Sequence, residues 1–171
     1  MKYTILNQKG AAVVEFAVIA SILFVILFAI LEFGFIFMQE HYVANATREG
    51  VRVGIRANNF NCFESPSECS SVPPAQRVFR KQFIQSSLRG TDDRDGYLSA
   101  LYGRNNPEVT VNVNRDESVP NKKTIIVSVT APNIFPSILS SLISLLPGTG
   151  FTLPETFSFT ATGEYEDPDE P

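Results

Sequence analysis

The longest uncharged apolar stretch of this chain runs from Phe16 to Leu31, close to the N-terminus. Its most polar residue is Ser21, and Glu32 interrupts it. An α-helix rises about 1.5 Å per residue, so the segment from Ala11 to Leu31 reaches roughly 30 Å, about the hydrocarbon thickness of a bilayer. The sequence therefore predicts a single membrane-spanning helix.

A cleaved secretory signal is the alternative, because Lys2 and Lys9 precede the apolar stretch. A signal peptide carries its small-residue cleavage site after a short apolar core, whereas Gly10, Ala11 and Ala12 stand before this one. That order suits a peptidase that cuts on the cytoplasmic face. The hydrophobic helix would then stay on the mature protein.

Residues 10–17, with their Val-Glu-Phe-Ala, resemble a prepilin-peptidase site. Together with Glu-Phe-Gly at 32–34, they are similar to the TadE-like family of minor pseudopilins, type IV pilin-like subunits of tight-adherence (Tad or Flp) pili. Arg-Glu-Gly-Val-Arg at 48–52 is similar to the motif that closes the family's long helix. The resemblance covers roughly residues 9–56. One departure is Ala-Ser at 20–21, where the family commonly has a proline.

The resemblance implies a structural subunit that a prepilin peptidase cuts between Gly10 and Ala11 and that takes part in pilus assembly, priming or adhesion. The implied partners are other pilin and pseudopilin subunits, the peptidase, the pilus assembly platform in the inner membrane, and membrane lipid. We expect no cofactor, no bound metal and no catalytic residue. The alternative is a single-pass, membrane-anchored periplasmic binding or interaction protein unrelated to pili.

Glu15 is the one carboxylate at the start of the apolar helix. A carboxylate within the hydrocarbon costs at least about 2.5 kcal/mol, which favours a role for it. Cleavage after Gly10 would leave the amino group of Ala11 one turn away on the same helix face. In an assembled pilus the partner would be the amino terminus of a neighbouring subunit, so Glu15 is predicted to set register. The alternative is a carboxylate at the headgroup boundary without a special role.

Charge and composition limit both topology and function. The net charge is −4 and the chain has a single histidine, His41, which argues against nucleic-acid binding and against a histidine-based metal or catalytic site, and we predict no enzyme. Lys2 and Lys9 precede the span, so the positive-inside rule keeps the N-terminus in the cytoplasm and the C-terminal part in the periplasm. The expected location is the bacterial inner membrane, with incorporation into an extracellular pilus.

Cys62 and Cys69 are close in sequence and lie among Asn, Ser and Pro residues. In an oxidising compartment this spacing is typical of a small disulfide loop. The alternative is two unpaired thiols.

The helix is predicted to continue beyond the membrane, because residues 39–56 lack proline and alternate charges of opposite sign. Ala46, Gly50 and Gly54 recur every four residues, a spacing that lets another backbone approach closely. Their expected partner is the sheet of the same domain or a neighbouring helix. The alternative is a helix merely weakened by two glycines.

The remaining sequence predicts an α+β fold, a small antiparallel sheet packed on helices. A helix is expected from the prolines at 73–74 to Gly90, with Phe83 on its apolar side and Arg80 on its solvent side. Strict alternation predicts strands at 109–114, 124–131 and 157–161. The first two strands are expected to be connected by a loop over 115–123. The domains are then a leader (1–10), a transmembrane helix (11–38), its extramembrane continuation (39–58), a periplasmic domain (59–163) and a disordered acidic tail (164–171).

Two further segments suggested ligands or partners. Residues 91–96 resemble a calcium loop, but Tyr102 stands where the loop needs its bidentate glutamate, which favours an acidic surface turn. Residues 136–147 are uncharged, with serines on one helical face. That short helix is predicted to enter the domain core, to dock on another pilus subunit, or to lie on the membrane surface. Its candidate contact residues are Ile138, Leu139, Leu142, Ile143 and Leu146.

Overall fold

The computed structural model describes residues 8–56, 62–91, 93–104, 106–119, 122–134 and 154–165. The chain divides into two compact units. One comprises Met1–Met38 and Phe135–Leu153, and the other comprises Gln39–Ile134 and Pro154–Pro171.

The first helix, α1, runs from Gln8 to Arg56 without interruption. Within the described residues it is the one helix long and apolar enough to cross a membrane. Its 49 residues include no proline, so no position removes a backbone donor or forces a kink. The predicted continuation of the apolar helix beyond residue 38 is present up to Arg56.

The second unit contains a three-stranded antiparallel sheet in the order β1-β2-β3. Its strands are β1 (Thr110–Val119), β2 (Lys122–Pro132) and β3 (Thr156–Tyr165). One face is apolar and buried, as the alternation predicts, and the other carries cross-strand hydroxyl pairs such as Ser128 with Thr160 at 2.8 Å. The buried valines and isoleucine of this face are Val111, Val113, Ile125, Val127 and Val129.

In the part of the chain that the structure describes, two short helices accompany the sheet, α2 (Arg80–Arg89) and α3 (Ser99–Tyr102), and two 3₁₀ turns precede α2 at Pro66–Cys69 and Pro74–Gln76. Ile84 and Leu88 of α2 are fully buried in one core with the sheet and with Val43 and Ala46 of α1. Helices therefore cover the apolar face of the sheet. This arrangement confirms the predicted α+β class.

The predicted loop over residues 115–123 is wrong, because β1 extends to Val119 and β2 begins at Lys122. The charged residues of this stretch suggested a loop, yet Asp116 lies on the wet face, and Arg115, the cross-strand partner of Ile125, makes charged and aromatic contacts at the inner face. Arg115 is half-buried, with its guanidinium 5.1 Å from the centre of the Phe63 ring and 3.6 Å from the Glu68 carboxylate.

The predicted helix start at the prolines is also wrong, because α2 begins only at Arg80. Phe79 is extended and forms a parallel bridge with Cys62. The amide of Arg80 donates to the carbonyl of Cys62 at 3.0 Å, and that of Lys81 donates to Phe63 at 3.1 Å. The backbone N–H groups of Arg80 and Lys81 are therefore bonded to residues 62–63 and not to a preceding turn of helix. The predicted end at Gly90 is confirmed.

Two side-chain placements on α2 differ from the helical pattern. Phe83, predicted on the apolar side, is 40% exposed, and Arg80, predicted on the solvent side, is 3% exposed. The guanidinium of Arg80 lies 4.3 Å from the centre of the Tyr165 ring, a cation–π geometry that compensates for burial of the charge.

Glu164 and Tyr165, expected in a disordered tail, are the last residues of β3. The Tyr165 ring is buried against Arg80, and this contact packs the end of β3 against α2.

Several predictions concern residues outside the described ranges. The candidate docking segment with Ile138, Leu139, Leu142, Ile143 and Leu146 is one of them, and so are leader residues 1–7 and tail residues 166–171. They remain predictions.

Candidate processing and assembly site

The segment of α1 from Ala11 to Leu31 exposes its large apolar side chains around the whole helix. Phe16 is 73% exposed, Leu23 64% and Ile30 64%. Burying one such side chain is worth about 1.5–3 kcal/mol, so the segment strongly favours an apolar environment. It fits a single-pass membrane anchor.

The polar groups within this segment are few. The hydroxyl of Ser21 donates to the backbone carbonyl of Ala17 at 2.7 Å, so its hydrogen bond is made within the helix itself. A hydroxyl that needs no external partner is compatible with a hydrocarbon environment. Glu15 differs, because its carboxyl group is exposed among apolar neighbours.

Gly10 and Ala11 lie in the first turn of α1, and both are exposed. No atom comes within 4 Å of the position where a Cβ on Gly10 would lie, beyond the helix backbone and the adjacent residues. Ala11 and Glu15 are four residues apart in the same helix, so they share one face. The structure thus brings the predicted cleavage position and the predicted register residue within one turn of each other.

The small residues of the second part of α1 lie against the domain core. A Cβ on Gly50 would come within 2.7 Å of Leu88 Cδ1 and 3.2 Å of Val127 Cγ1. A Cβ on Gly54 would come within 2.7 Å of Ile84 Cδ1 and 3.0 Å of Ile125 Cδ1. Ala46 is fully buried in the same core. The three positions therefore allow α2 and the sheet to approach the helix backbone closely.

The sheet contributes a matching glycine, which the sequence analysis missed. A Cβ on Gly163 of β3 would overlap the side chains of Val51 and Ile55 of α1. Gly163 comes two residues after Ala161 and so continues the inward-facing positions of Phe157, Phe159 and Ala161. This spacing could have identified Gly163 as a residue on the inner face of the sheet.

Gln39 is a second feature that the sequence pattern did not reveal. Its side chain is fully buried, and Nε2 donates to the hydroxyl of Tyr102 at 2.7 Å and to the carbonyl of Pro132 at 2.5 Å. Within the described residues, its Oε1 has no hydrogen-bond partner. Burial raises the pKa of Tyr102, so the hydroxyl stays protonated at neutral pH. This contact joins α1, α3 and the end of β2.

Cys62 and Cys69 form a disulfide. It connects the 3₁₀ turn Pro66–Cys69 to the β-bridge between Cys62 and Phe79. Inside the loop the carboxylate of Glu68 accepts the amide hydrogens of Phe63 at 2.7 Å and Glu64 at 3.0 Å. Burial opposes ionisation of Glu68, but these amides and Arg115 outweigh it and lower its pKa below the usual value. The loop is thus held both covalently and by a charged hydrogen-bond acceptor.

The described surface includes shallow hollows of about 300 and 330 Å³. The first lies along α2 beside Val78 and Phe83, and the second lies beside Glu68 and Arg115. In the stretch that resembles a calcium loop, the amide of Thr91 donates to the carbonyl of Arg94 at 2.8 Å, which closes a turn between these two residues. Asp95 of this stretch pairs with Arg104 at 2.6 Å.

A family model described as TadE-like protein matches residues 10–52. The predicted resemblance to TadE-like proteins is therefore confirmed for this segment, which begins at Gly10 and ends within the second part of α1. No curated protein and no solved structure matches the chain.

Proposed function

We propose, from the TadE-like match over residues 10–52, that the chain is a minor pseudopilin, a structural and assembly subunit of a Tad-type pilus. The observation that carries this proposal is α1 itself. One uninterrupted helix exposes an apolar surface over residues 11–31 and enters a domain core over residues 39–56. An anchor built as a continuous part of the domain suits a subunit whose helix packs among other helices.

The proposed processing step is hydrolysis of the peptide bond between Gly10 and Ala11 by a prepilin peptidase. The open space around Gly10 supports it, because a side chain there would obstruct access to the backbone. Lys2 and Lys9 hold the leader on the cytoplasmic side by the positive-inside rule. The mature chain then begins with Ala11 and keeps the whole apolar segment.

N-terminal sequencing of the protein recovered from membranes tests this step. We expect Ala11 as the first residue, and we expect Gly10→Leu to leave the leader attached. Gly34→Leu is the matched control, because Gly34 also has open space around it but lies far from the cleavage position. An intact Met1, or a first residue beyond Leu31, would contradict the pseudopilin proposal and favour the anchored binding protein or a cleaved signal.

In the assembled pilus, Glu15 is proposed to pair with the amino group of Ala11 of a neighbouring subunit. The exposed position of Glu15 supports an intermolecular partner. The surrounding apolar side chains would supply most of the packing energy, and the ion pair would fix the axial register.

Glu15→Gln tests the pairing, because it keeps the shape of the side chain and removes its charge. We expect normal insertion and cleavage but impaired pilus assembly, since a buried ammonium without its partner costs about 3–5 kcal/mol. Membrane fractionation and co-purification with other pilus subunits measure the two effects separately. Unchanged assembly would reduce Glu15 to a boundary residue.

A further inference from the structure

The two edge strands of the sheet, β1 and β3, differ in what covers their backbone. At the edge of β1, the side chain of Gln85 donates from Nε2 to the carbonyl of Val111 at 2.9 Å, so α2 covers this edge. The pairing of β1 is also irregular between Asp116 and Val119. β3, in contrast, pairs with β2 in one continuous register over its whole length. The two edges therefore offer different surfaces to another chain.

One hydrogen bond fixes which backbone groups of β3 point away from β2. The amide of Asn133 donates to the carbonyl of Glu155 at 2.7 Å, and these two residues lie opposite each other, one step beyond the pair Pro132 with Thr156. Hydrogen-bonded and non-hydrogen-bonded pairs alternate along antiparallel strands, so the odd-numbered residues of β3 bond to β2. The N–H and C=O groups of its even-numbered residues point outward. We call this outward side the open edge.

The open edge is unprotected along most of β3. The side chains of Ser158, Thr160 and Thr162 are exposed, and no described backbone group bonds to their outward N–H and C=O groups. Residues 156–163 include no charge and no proline. Natural sheet edges are usually protected by lysine, proline, a bulge or a covering element. The described part of β3 has none of these over this stretch, so it is suited to pairing with another strand.

An antiparallel pair of two β3 strands does not fit the direction of α1. Gln39 of α1 bonds to Pro132 at the end of β2, and Gly54 lies against Ile125 near its beginning. α1 therefore runs roughly opposite to β2 and in the same direction as β3. Two copies inserted in one membrane by the positive-inside rule have their α1 helices in the same direction. An antiparallel pair of β3 strands would turn these helices in opposite directions.

The other ways to pair two copies are also unfavourable. A parallel pair of β3 strands joined at their open edges would continue the apolar face of one sheet into the hydroxyl-bearing face of the other. Pairing of β3 with β1 of a second copy would meet the edge that Gln85 and α2 cover. The occupant that fits the open edge is therefore a strand of a different protein.

We propose that the open edge of β3 binds an extended segment of another protein, which joins the sheet as a further strand. Backbone hydrogen bonds supply the affinity in this mode, and alternate side chains supply the specificity. The segment carries apolar side chains beside the half-buried Phe159 and uncharged polar ones beside Thr160. Its ends are basic, because Glu155 and Glu164 are exposed at the two ends of the open edge. The proposal rests on the membrane anchor and the described domain, not on the pilus assignment.

Hydrogen exchange of the purified full chain in detergent micelles tests whether the edge is open. We expect the amides of Ser158, Thr160 and Thr162 to exchange at least about 100-fold faster than those of Phe159 and Ala161, which bond to β2. Residue-resolved mass spectrometry measures both sets within one strand. Equal protection of the two sets would overturn the proposal.

Photo-cross-linking in cells that produce the full chain identifies the occupant. p-Benzoylphenylalanine in place of Thr160 puts the reactive group at the open edge. The same replacement of Asn112 is the matched control, because Asn112 is exposed on the same face and in the same cross-strand row through Ser128. It lies two strands away, so we expect at least about fivefold more adduct with one segment of another protein from position 160 than from position 112.

Two substitutions at Ser158 show whether the adduct depends on the backbone. Ser158→Pro removes the outward N–H and leaves the bonds to β2, and we expect it to lower the adduct yield from position 160 at least about tenfold. Ser158→Ala keeps this N–H and should leave the yield unchanged. Thermal unfolding checks that the domain is folded, and Thr162→Pro is a second variant on the same side of the strand.

Four cross-linking results would each overturn the proposal. They are equal yields from positions 160 and 112, adducts that join two copies of this chain, a cross-linked segment with acidic residues at its ends, and an undiminished yield in folded Ser158→Pro or Thr162→Pro protein.

Discussion

Residues 11–31 and residues 39–56 belong to one helix, yet their side chains meet different surroundings. In the first segment Val18 is 55% exposed and Phe28 45%, on different faces of the helix. In the second, burial is confined to one stripe. That stripe comprises Gln39, Val43, Ala46, Thr47, Gly50, Val51 and Gly54.

The difference shows that the surroundings of each helix segment determine which of its positions are apolar. A helix apolar on all sides suits lipid or a bundle of helices, whereas a helix with one buried stripe suits the surface of a sheet. The stripe combines three small residues, Ala46, Gly50 and Gly54, with two valines, a threonine and a glutamine, and it contains no leucine, isoleucine or phenylalanine. Close approach of the helix backbone at Gly50 and Gly54 therefore accompanies the packing of Val43 and Val51 in the core.

The largest expected difference between the two segments of α1 comes from placing the same charge in each of them. Val43→Asp puts a carboxylate in a fully buried site, and we expect a loss of at least about 4 kcal/mol in the free energy of unfolding of the domain. Val18→Asp should leave the domain folded but disfavour membrane insertion by about 2.5–3.5 kcal/mol.

Circular dichroism of the detergent-solubilised variants and carbonate extraction of membranes measure the two effects. A domain that unfolds with Val18→Asp, or an anchor that fails with Val43→Asp, would show that the two segments do not act separately.

The features that follow a regular period could be predicted from the sequence. The inward valines of β1 and β2 follow from local alternation, and the length of α1 follows from a continuous apolar run and the absence of proline, all of which one sequence records directly. The disulfide between Cys62 and Cys69 was also predictable, because a short separation among turn residues leaves few alternatives.

What the sequence did not reveal depends on contacts between distant segments. Arg80 is buried because Tyr165 covers it, and α2 starts late because its first two amides donate to the carbonyls of Cys62 and Phe63. The pairing of Gly163 with Ile55 likewise requires knowledge of which strand meets α1. No helical or strand period encodes these partners.

A bulkier side chain at the small-residue positions gives the next largest effect. Gly50→Leu would force Leu88 and Val127 apart, and we expect it to destabilise the domain by about 1–3 kcal/mol. Gly34→Leu is the control, since no neighbouring atom lies within 4 Å of its Cβ position. Thermal unfolding of both variants gives the comparison. Equal stability of the two proteins would mean that close approach at Gly50 is not what joins α1 to the sheet.

The smallest expected effect concerns the buried stripe where it passes Gln39. Tyr102→Phe removes the hydroxyl that accepts from Gln39 Nε2, although the bond to the carbonyl of Pro132 remains. We expect a loss of about 1 kcal/mol in the free energy of unfolding, because one hydrogen bond to a buried amide is lost without opening a cavity. Tyr97→Phe is the matched control, since Tyr97 is 40% exposed and its backbone carbonyl, not its hydroxyl, accepts from Tyr42. Denaturant unfolding of the two variants resolves this difference. If Tyr102→Phe were as stable as Tyr97→Phe, the buried glutamine would be held by Pro132 alone, and α3 would have no polar connection to α1 through Gln39.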